Sequence, residues 1–157
     1  SIPEKKNFIL APGCDMPYEV PVENGIAVAQ AAIETDMVRE IVANYHPEEI
    51  DTSSVVVPDY ASLKKPLVEV FTLDSAQCAA CSYMMNAATH AVETFGDAVD
   101  LVEYKFIYKE NVARCVKMGV KNLPSLYING ELKYSSIIPT RAALEQDIRD
   151  AIEQCGK

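Results

Sequence analysis

Residues 71–85, Phe-Thr-Leu-Asp-Ser-Ala-Gln-Cys-Ala-Ala-Cys-Ser-Tyr-Met-Met, decide how this chain is read. A β-like apolar run, Leu67 to Leu73, ends here, a short polar loop follows, and a cysteine pair opens a helical stretch. A helix N-terminus leaves backbone N–H groups unpaired and points the positive end of its dipole outward, so it stabilises a thiolate. The first cysteine, Cys78, is therefore expected to have a lowered pKa, and Cys81 to lie one turn deeper. Two intervening residues keep the sulfurs within bonding reach, so Cys78 can attack a disulfide and Cys81 can resolve the mixed intermediate. A strand followed by CxxC at a helix start is the expected form of a redox dithiol in an α/β protein. Two buried free cysteines, or half of a zinc site completed by Cys115 and Cys155, are the alternatives.

The pattern continues outward from the pair. Cys78 to about Phe95 is helical, Ala98 to Ile107 alternates as a strand, and Glu110 to Met118 is a short helix stopped by Gly119. Ser125–Ile128 and Leu132–Ser136 are strands joined at Asn129-Gly130, a dipeptide that favours a two-residue hairpin turn because both positions tolerate positive φ. A last helix runs from about Thr140, a good N-cap, to Gln154, with Leu144, Ile148 and Ile152 on one face. The order from Pro66 is βαβαββα, an α/β fold around a mixed central sheet.

Upstream, residues 1–22 read as a strand, NFILAPGC, running into a loop broken by Pro12, Pro17 and Pro21. Glu23 to about Asn44 has the spacing of one amphipathic helix of about five turns. Residues 48–65 are polar apart from Val55 to Val57 and read as a linker with one short strand. The expected domains are thus 1–47 and 66–157. We find no internal repeat.

Composition narrows the function. The chain has 157 residues and a formal charge of −9, and an acidic surface opposes the phosphate neutralisation on which nucleic-acid binding depends. No run approaches the roughly 18–20 apolar residues of a membrane helix, and SIPEKKNF lacks the apolar core of a signal peptide. The expectation is a cytoplasmic protein with neither nucleic acid nor membrane as partner. The five cysteines are odd in number, which does not suit a secreted disulfide framework, and in a reducing compartment a close pair is more often catalytic or metal-binding. His90 lies 12 residues beyond Cys78, or roughly 18 Å along a helix, too far for a Cys-His pair. His46 reads as a solvated residue near a helix end, Met84 and Met85 as core packing, Cys115 as a small buried residue and Cys155 as a free thiol.

Asn122-Leu123-Pro124-Ser125-Leu126 opens a strand about 43 residues after Cys81, a place where proline is tolerated. With the CxxC, the helix ended by Gly119-Val120 and the Ile-Asn-Gly hairpin, residues 66–157 resemble the small glutaredoxin-like thioredoxins. That resemblance implies a thiol-disulfide oxidoreductase with Cys78 and Cys81 catalytic and no cofactor beyond their redox-active disulfide. It implies a cis proline at Pro124, with Gln77, Leu123 and Pro124 at the substrate edge. Its partners would be protein or low-molecular-weight disulfides and a reductase. The chain departs from typical thioredoxins in having Gln77, Ala79 and Ala80 around the pair in place of Trp and Gly-Pro. The buried aspartate that larger thioredoxins keep beneath the disulfide is matched by Val70, with Glu69 on the opposite side of the strand.

NFILAPGCDMPYEVPVENGIAVAQA, within residues 1–45, is similar to the C-terminal end of the uroporphyrinogen decarboxylase and methylcobamide:coenzyme M methyltransferase superfamily. There the cysteine matching Cys14 is a zinc ligand in the methyltransferase branch, beside a His-x-Cys motif that this chain lacks. One strand and one helix do not make an eight-stranded barrel, so that chemistry cannot run in this chain alone. What the resemblance implies is the terminal part of a longer methyltransferase-like protein or a truncated piece of one. The redox module would then serve a corrinoid or thiol-dependent methyltransferase system, or act as its non-enzymatic interaction or metal-holding module.

Overall fold

The computed structural model describes residues 9, 11, 20–46 and 48–155. The chain divides into two compact units, residues 1–49 and 50–157.

In the first unit, the single helix expected over 23–44 is two: α1 (Val22–Ile33) and α2 (Thr35–Ala43). Glu34 between them leaves helical geometry, with φ −111° and ψ 44°. It is flanked by β-branched Ile33 and Thr35, residues that lose rotamer freedom in a helix, and the Thr35 hydroxyl donates back to the Ala31 carbonyl at 2.9 Å, a bond that competes with regular helix. Neither helix buries a residue. Of the expected strand over 7–14 only residues 9 and 11 are described, neither of them in a strand, and Cys14 falls outside the described residues.

The second unit is a four-stranded sheet of β1 (Leu67–Thr72), β2 (Asp100–Lys105), β3 (Ser125–Ile128) and β4 (Glu131–Ser135) in the order β2-β1-β3-β4. β1 and β2 are parallel, while β1 with β3 and β3 with β4 are antiparallel. The βαβαββα order holds, with α3 (Ala79–Glu93), α4 (Lys109–Met118) and α5 (Arg141–Cys155) as its helices. Parallel β1 and β2 require a crossover, which α3 supplies. Asn129 and Gly130 take φ of 50° and 76° and turn β3 into β4. At the end of α4, Gly119 adopts φ 69°, and Val120 N–H closes onto the Cys115 carbonyl at 2.9 Å, the left-handed stop that glycine permits at no steric cost.

Strand alternation gives the sheet two unlike faces. Val68 and Val70 of β1, Leu126 and Ile128 of β3, Met84, Ala88 and Ala91 of α3, and Leu144, Ile148 and Ala151 of α5 form the main core. Each fully buried Leu, Ile or Met there contributes on the order of 1.5–3 kcal/mol. On the opposite face Phe71, Tyr127 and Cys115 make a smaller cluster bordered by Tyr104 and Leu123. Phe71 stacks at 5.1 Å from Tyr104 and edge-on at 5.3 Å from Tyr127.

Residues 50–65 correct the expectation of a linker with a short strand. They contain no strand, only a 3-10 turn at Tyr60–Ser62, and they are fastened to the second unit. Lys117 Nζ donates to the Val55 carbonyl at 2.6 Å, Arg114 donates to the Val56 carbonyl at 3.0 Å, and Val55 is buried. The Tyr60 hydroxyl reaches 2.8 Å to Glu69. Cationic side chains of α4 satisfy carbonyls that a strand would have paired in a ladder.

Candidate active site

Cys78 is the N-cap of α3, with extended backbone at φ −111° and ψ 115°. Two bonds fix it there: its N–H donates to the Asp74 carbonyl at 2.9 Å, and its own carbonyl accepts from Ser82 N–H at 2.8 Å. Its Sγ accepts from Cys81 N–H at 3.4 Å, so the sulfur occupies the place that a capping oxygen takes on most helices. Cys78 is half-buried, whereas Cys81 is 1% exposed.

Cys81 lies one turn in, on the face of α3 that carries Met84 and Ala88 into the core. Residues three apart on a helix have Cβ atoms about 5–6 Å apart, close to what a disulfide spans after a small closing movement. The two thiols are free. Burial pushes the Cys81 thiol up to about 11, and Cys78 alongside adds to the rise. Leu73 N–H, 3.3 Å from Cys81 Sγ, acts in the other direction. One thiol is accessible and the other enclosed.

Pro124 is buried, and the Leu123-Pro124 peptide is cis. The Pro124 carbonyl accepts from Ser136 N–H at 2.8 Å. In the antiparallel register Phe71 faces Ser125, so Pro124 stands one step further along, beside Thr72, at the end of β1 from which the cysteine loop departs. Half-buried Leu123 packs against the Phe71 and Tyr127 cluster on the α4 side. Gln77 is exposed just before Cys78 and turns its amide to Asp74 Oδ2 at 3.4 Å.

Cys115, Cys155 and His90 lie away from the pair. Cys115 is buried on the α4 face with Phe71 and Tyr127, and its pKa is raised by that burial. Half-buried Cys155 accepts weakly from the Asn129 amide at 3.6 Å. His90 pairs with Glu93 at 3.3 Å on the exposed side of α3. Among the described residues no three His, Cys, Asp or Glu side chains converge as metal ligands, and no helix is long and apolar enough to cross a membrane.

Strand alternation places Val70 in the core and sends Glu69 to the α4 face. Glu69 is wholly buried there; burial raises its pKa, against the opposing effects of the Tyr60 hydroxyl, Arg114 and Tyr104. What the pattern of residue types did not single out is a polar group at the mouth of the site: Thr72, Asp74, Glu103 and Lys105. Glu103 and Lys105 alternate along an edge strand and read as solvent-facing. Their signal was that they share the sheet face of Leu101, which packs against the main core.

The thioredoxin domain profile matches residues 67–149, more than half of the chain. The chain belongs to the thioredoxin-domain family. Among solved structures it is similar to mitochondrial thioredoxin 3 from Saccharomyces cerevisiae in its oxidized form. The two are 22% identical over 57% of this chain and 82% of that one, with a TM-score of 0.43. No curated protein matches. The family match begins at Leu67 and does not reach residues 1–45.

Proposed function

We propose that this thioredoxin-domain protein is a thiol-disulfide oxidoreductase, with Cys78 as the attacking thiol and Cys81 as the resolving one. The observation that carries the reading is the asymmetry of the pair. Cys78 caps α3 at the surface, while Cys81 is enclosed one turn deeper with its N–H on the Cys78 sulfur. Thiol-disulfide exchange needs a nucleophile that meets substrate first and a second thiol that meets only the mixed disulfide.

The substrates would be protein or low-molecular-weight disulfides, and a reductase would return the pair to the dithiol. Gln77, next to Cys78 in the chain, and Leu123 and Pro124, at the end of β1 from which the cysteine loop departs, would form the substrate edge. The resemblance of residues 1–45 to methyltransferases would add a corrinoid or thiol-dependent methyltransferase system as a partner. A cytoplasmic setting would keep the dithiol reduced between turnovers.

Redox titration tests the proposal. Across a series of glutathione or dithiothreitol ratios, quenched alkylation and peptide mass analysis should show Cys78 and Cys81 losing two hydrogens together at one midpoint. If no ratio yields that disulfide, the oxidoreductase reading is lost. Stoichiometric zinc held by both thiolates in reduced protein would favour a metal-holding module instead.

A further inference from the structure

The loop joining β1 to α3 is held from β2 by charged side chains. Alternate residues of a strand share a face, and on the α3 side β2 presents Leu101, Glu103 and Lys105. Leu101 packs against the core; the other two meet the loop. Lys105 Nζ lies 2.7 Å from Asp74 Oδ1, and the two side chains are only 27% and 6% exposed. The same carboxylate accepts from Ala76 N–H at 3.1 Å and from the Gln77 amide at 3.4 Å. Glu103 Oε1 accepts from the Thr72 hydroxyl at 2.5 Å and from Ser75 N–H at 3.2 Å.

Residues 72–77 are thereby pinned, and their backbone faces the enclosed thiol. Leu73 N–H points at Cys81 Sγ at 3.3 Å and acts to lower its pKa against the effect of burial. A backbone donor on a sulfur favours its anionic form, as such a donor does for any developing anion. The side chain of Asp74 is itself a poor proton acceptor near neutral pH. Its hydrogen bond from Lys105 holds the carboxyl below the usual carboxylate range, against the opposing effect of burial. Lys105 in turn is held protonated by Asp74, with Glu103 and Tyr108 acting in the same direction. Asp74 therefore acts through the loop and not as a base.

We propose that the Asp74–Lys105 pair, with Glu103 beside it, is a positioning clamp for the resolving step: it keeps the loop, and with it the Leu73 N–H, on Cys81 Sγ so that Cys81 can release a mixed disulfide from Cys78. This rests on the dithiol reading of the site and assigns the clamp to one half of the exchange. In the first half, the Cys78 thiolate attacks a substrate disulfide, a Cys78–substrate S–S bond forms, and the first substrate thiolate leaves with the electron pair of the broken bond. In the second, Cys81 loses its proton to solvent and attacks Cys78 Sγ. The Cys78–Cys81 bond forms and the second substrate thiolate leaves, so two electrons have passed from the dithiol to the substrate.

The two halves separate with 5,5'-dithiobis(2-nitrobenzoate), which releases one coloured thiolate at each. Stopped-flow release should be paired with acid quench and peptide mapping, so that only adducts on Cys78 and their conversion to Cys78–Cys81 are counted. In Lys105→Met and in Asp74→Asn, the rate of the second step relative to the first should fall about tenfold or more, as expected on loosening a donor to an ionising group. Lys105→Arg, which keeps the charge, should restore most of it. Lys105 is on an edge strand, so its substitution leaves the main core untouched and keeps the test available if Asp74→Asn proves poorly folded. An unchanged ratio in folded Lys105→Met overturns the clamp. A wild-type protein that forms the Cys78 adduct but never the Cys78–Cys81 disulfide instead overturns the dithiol reading beneath it.

Discussion

The reactivity of Cys81 can be worked from its surroundings. Its thiol is raised from 9.0 to about 11, mainly by burial. At pH 7 a thiol at the ordinary value is roughly 1% ionised and one at about 11 roughly 0.01%, a hundredfold loss of thiolate. Part returns, because a more basic thiolate is a better nucleophile: with a Brønsted coefficient of about 0.4–0.5, two units regain roughly six- to tenfold. The net deficit is roughly tenfold before access is counted, and Cys81 is 1% exposed, so steric exclusion enlarges it. Reduced protein should therefore be pulsed with iodoacetamide, quenched at early times and mapped by peptide mass. Cys78 should be modified first, with Cys81 at least tenfold slower than N-acetylcysteine under the same conditions. Raising the pH from 7 to 10 should speed Cys81 nearly tenfold per unit with no plateau, because burial, the largest cause, does not depend on Cys78. Labelling of Cys81 ahead of Cys78, or a plateau for Cys81 below pH 9, would refute the argument.

Three further outcomes follow from the packing. Glu69 binds its proton more tightly folded than unfolded, so the folded state carries more protons and its ionisation subtracts stability as pH rises through the unfolded value and on to the folded one; the urea midpoint of the wild type should fall relative to Glu69→Gln as pH is raised from 4 to 7, and parallel midpoints would contradict the assignment. Gly130→Ala should cost about 1–3 kcal/mol in denaturant unfolding, because Gly130 has φ +76° and a Cβ there would meet the Tyr60 ring at 2.4 Å; a neutral result would mean that Tyr60 is not seated on the hairpin. Leu144→Ala should cost about 2–5 kcal/mol, since Leu144 is fully buried between α5 and the sheet, and a loss below 1 kcal/mol would place α5 off the core.

Residue pattern alone determined much of this protein, because the signals are local. The Asn129-Gly130 turn, the Gly119 stop and the Thr140 cap, whose hydroxyl accepts from Ala143 N–H at 3.3 Å, depend on the backbone preferences of one or two residues. The placement of Cys78 and Cys81 one turn apart at a helix start is equally local, since helical geometry fixes it. Alternation along β1 likewise assigned Val70 and Glu69 to opposite faces before any partner was known.

Tertiary structure decided what depends on residues far apart in sequence. Residues 50–65 look polar enough to be a free linker, yet Lys117 and Arg114, about 60 positions away, satisfy their carbonyls and bind them down. The break at Glu34 was hidden because apolar spacing continues across it, and periodicity does not register one residue leaving helical φ and ψ. Glu103 and Lys105 resemble any solvated pair on an edge strand until the parallel register sets them opposite Val70 and Thr72. Only that register carries their charges to the loop of Asp74, and with it to the sulfur of Cys81, because a strand's own sequence specifies which residues share a face but not what the face meets.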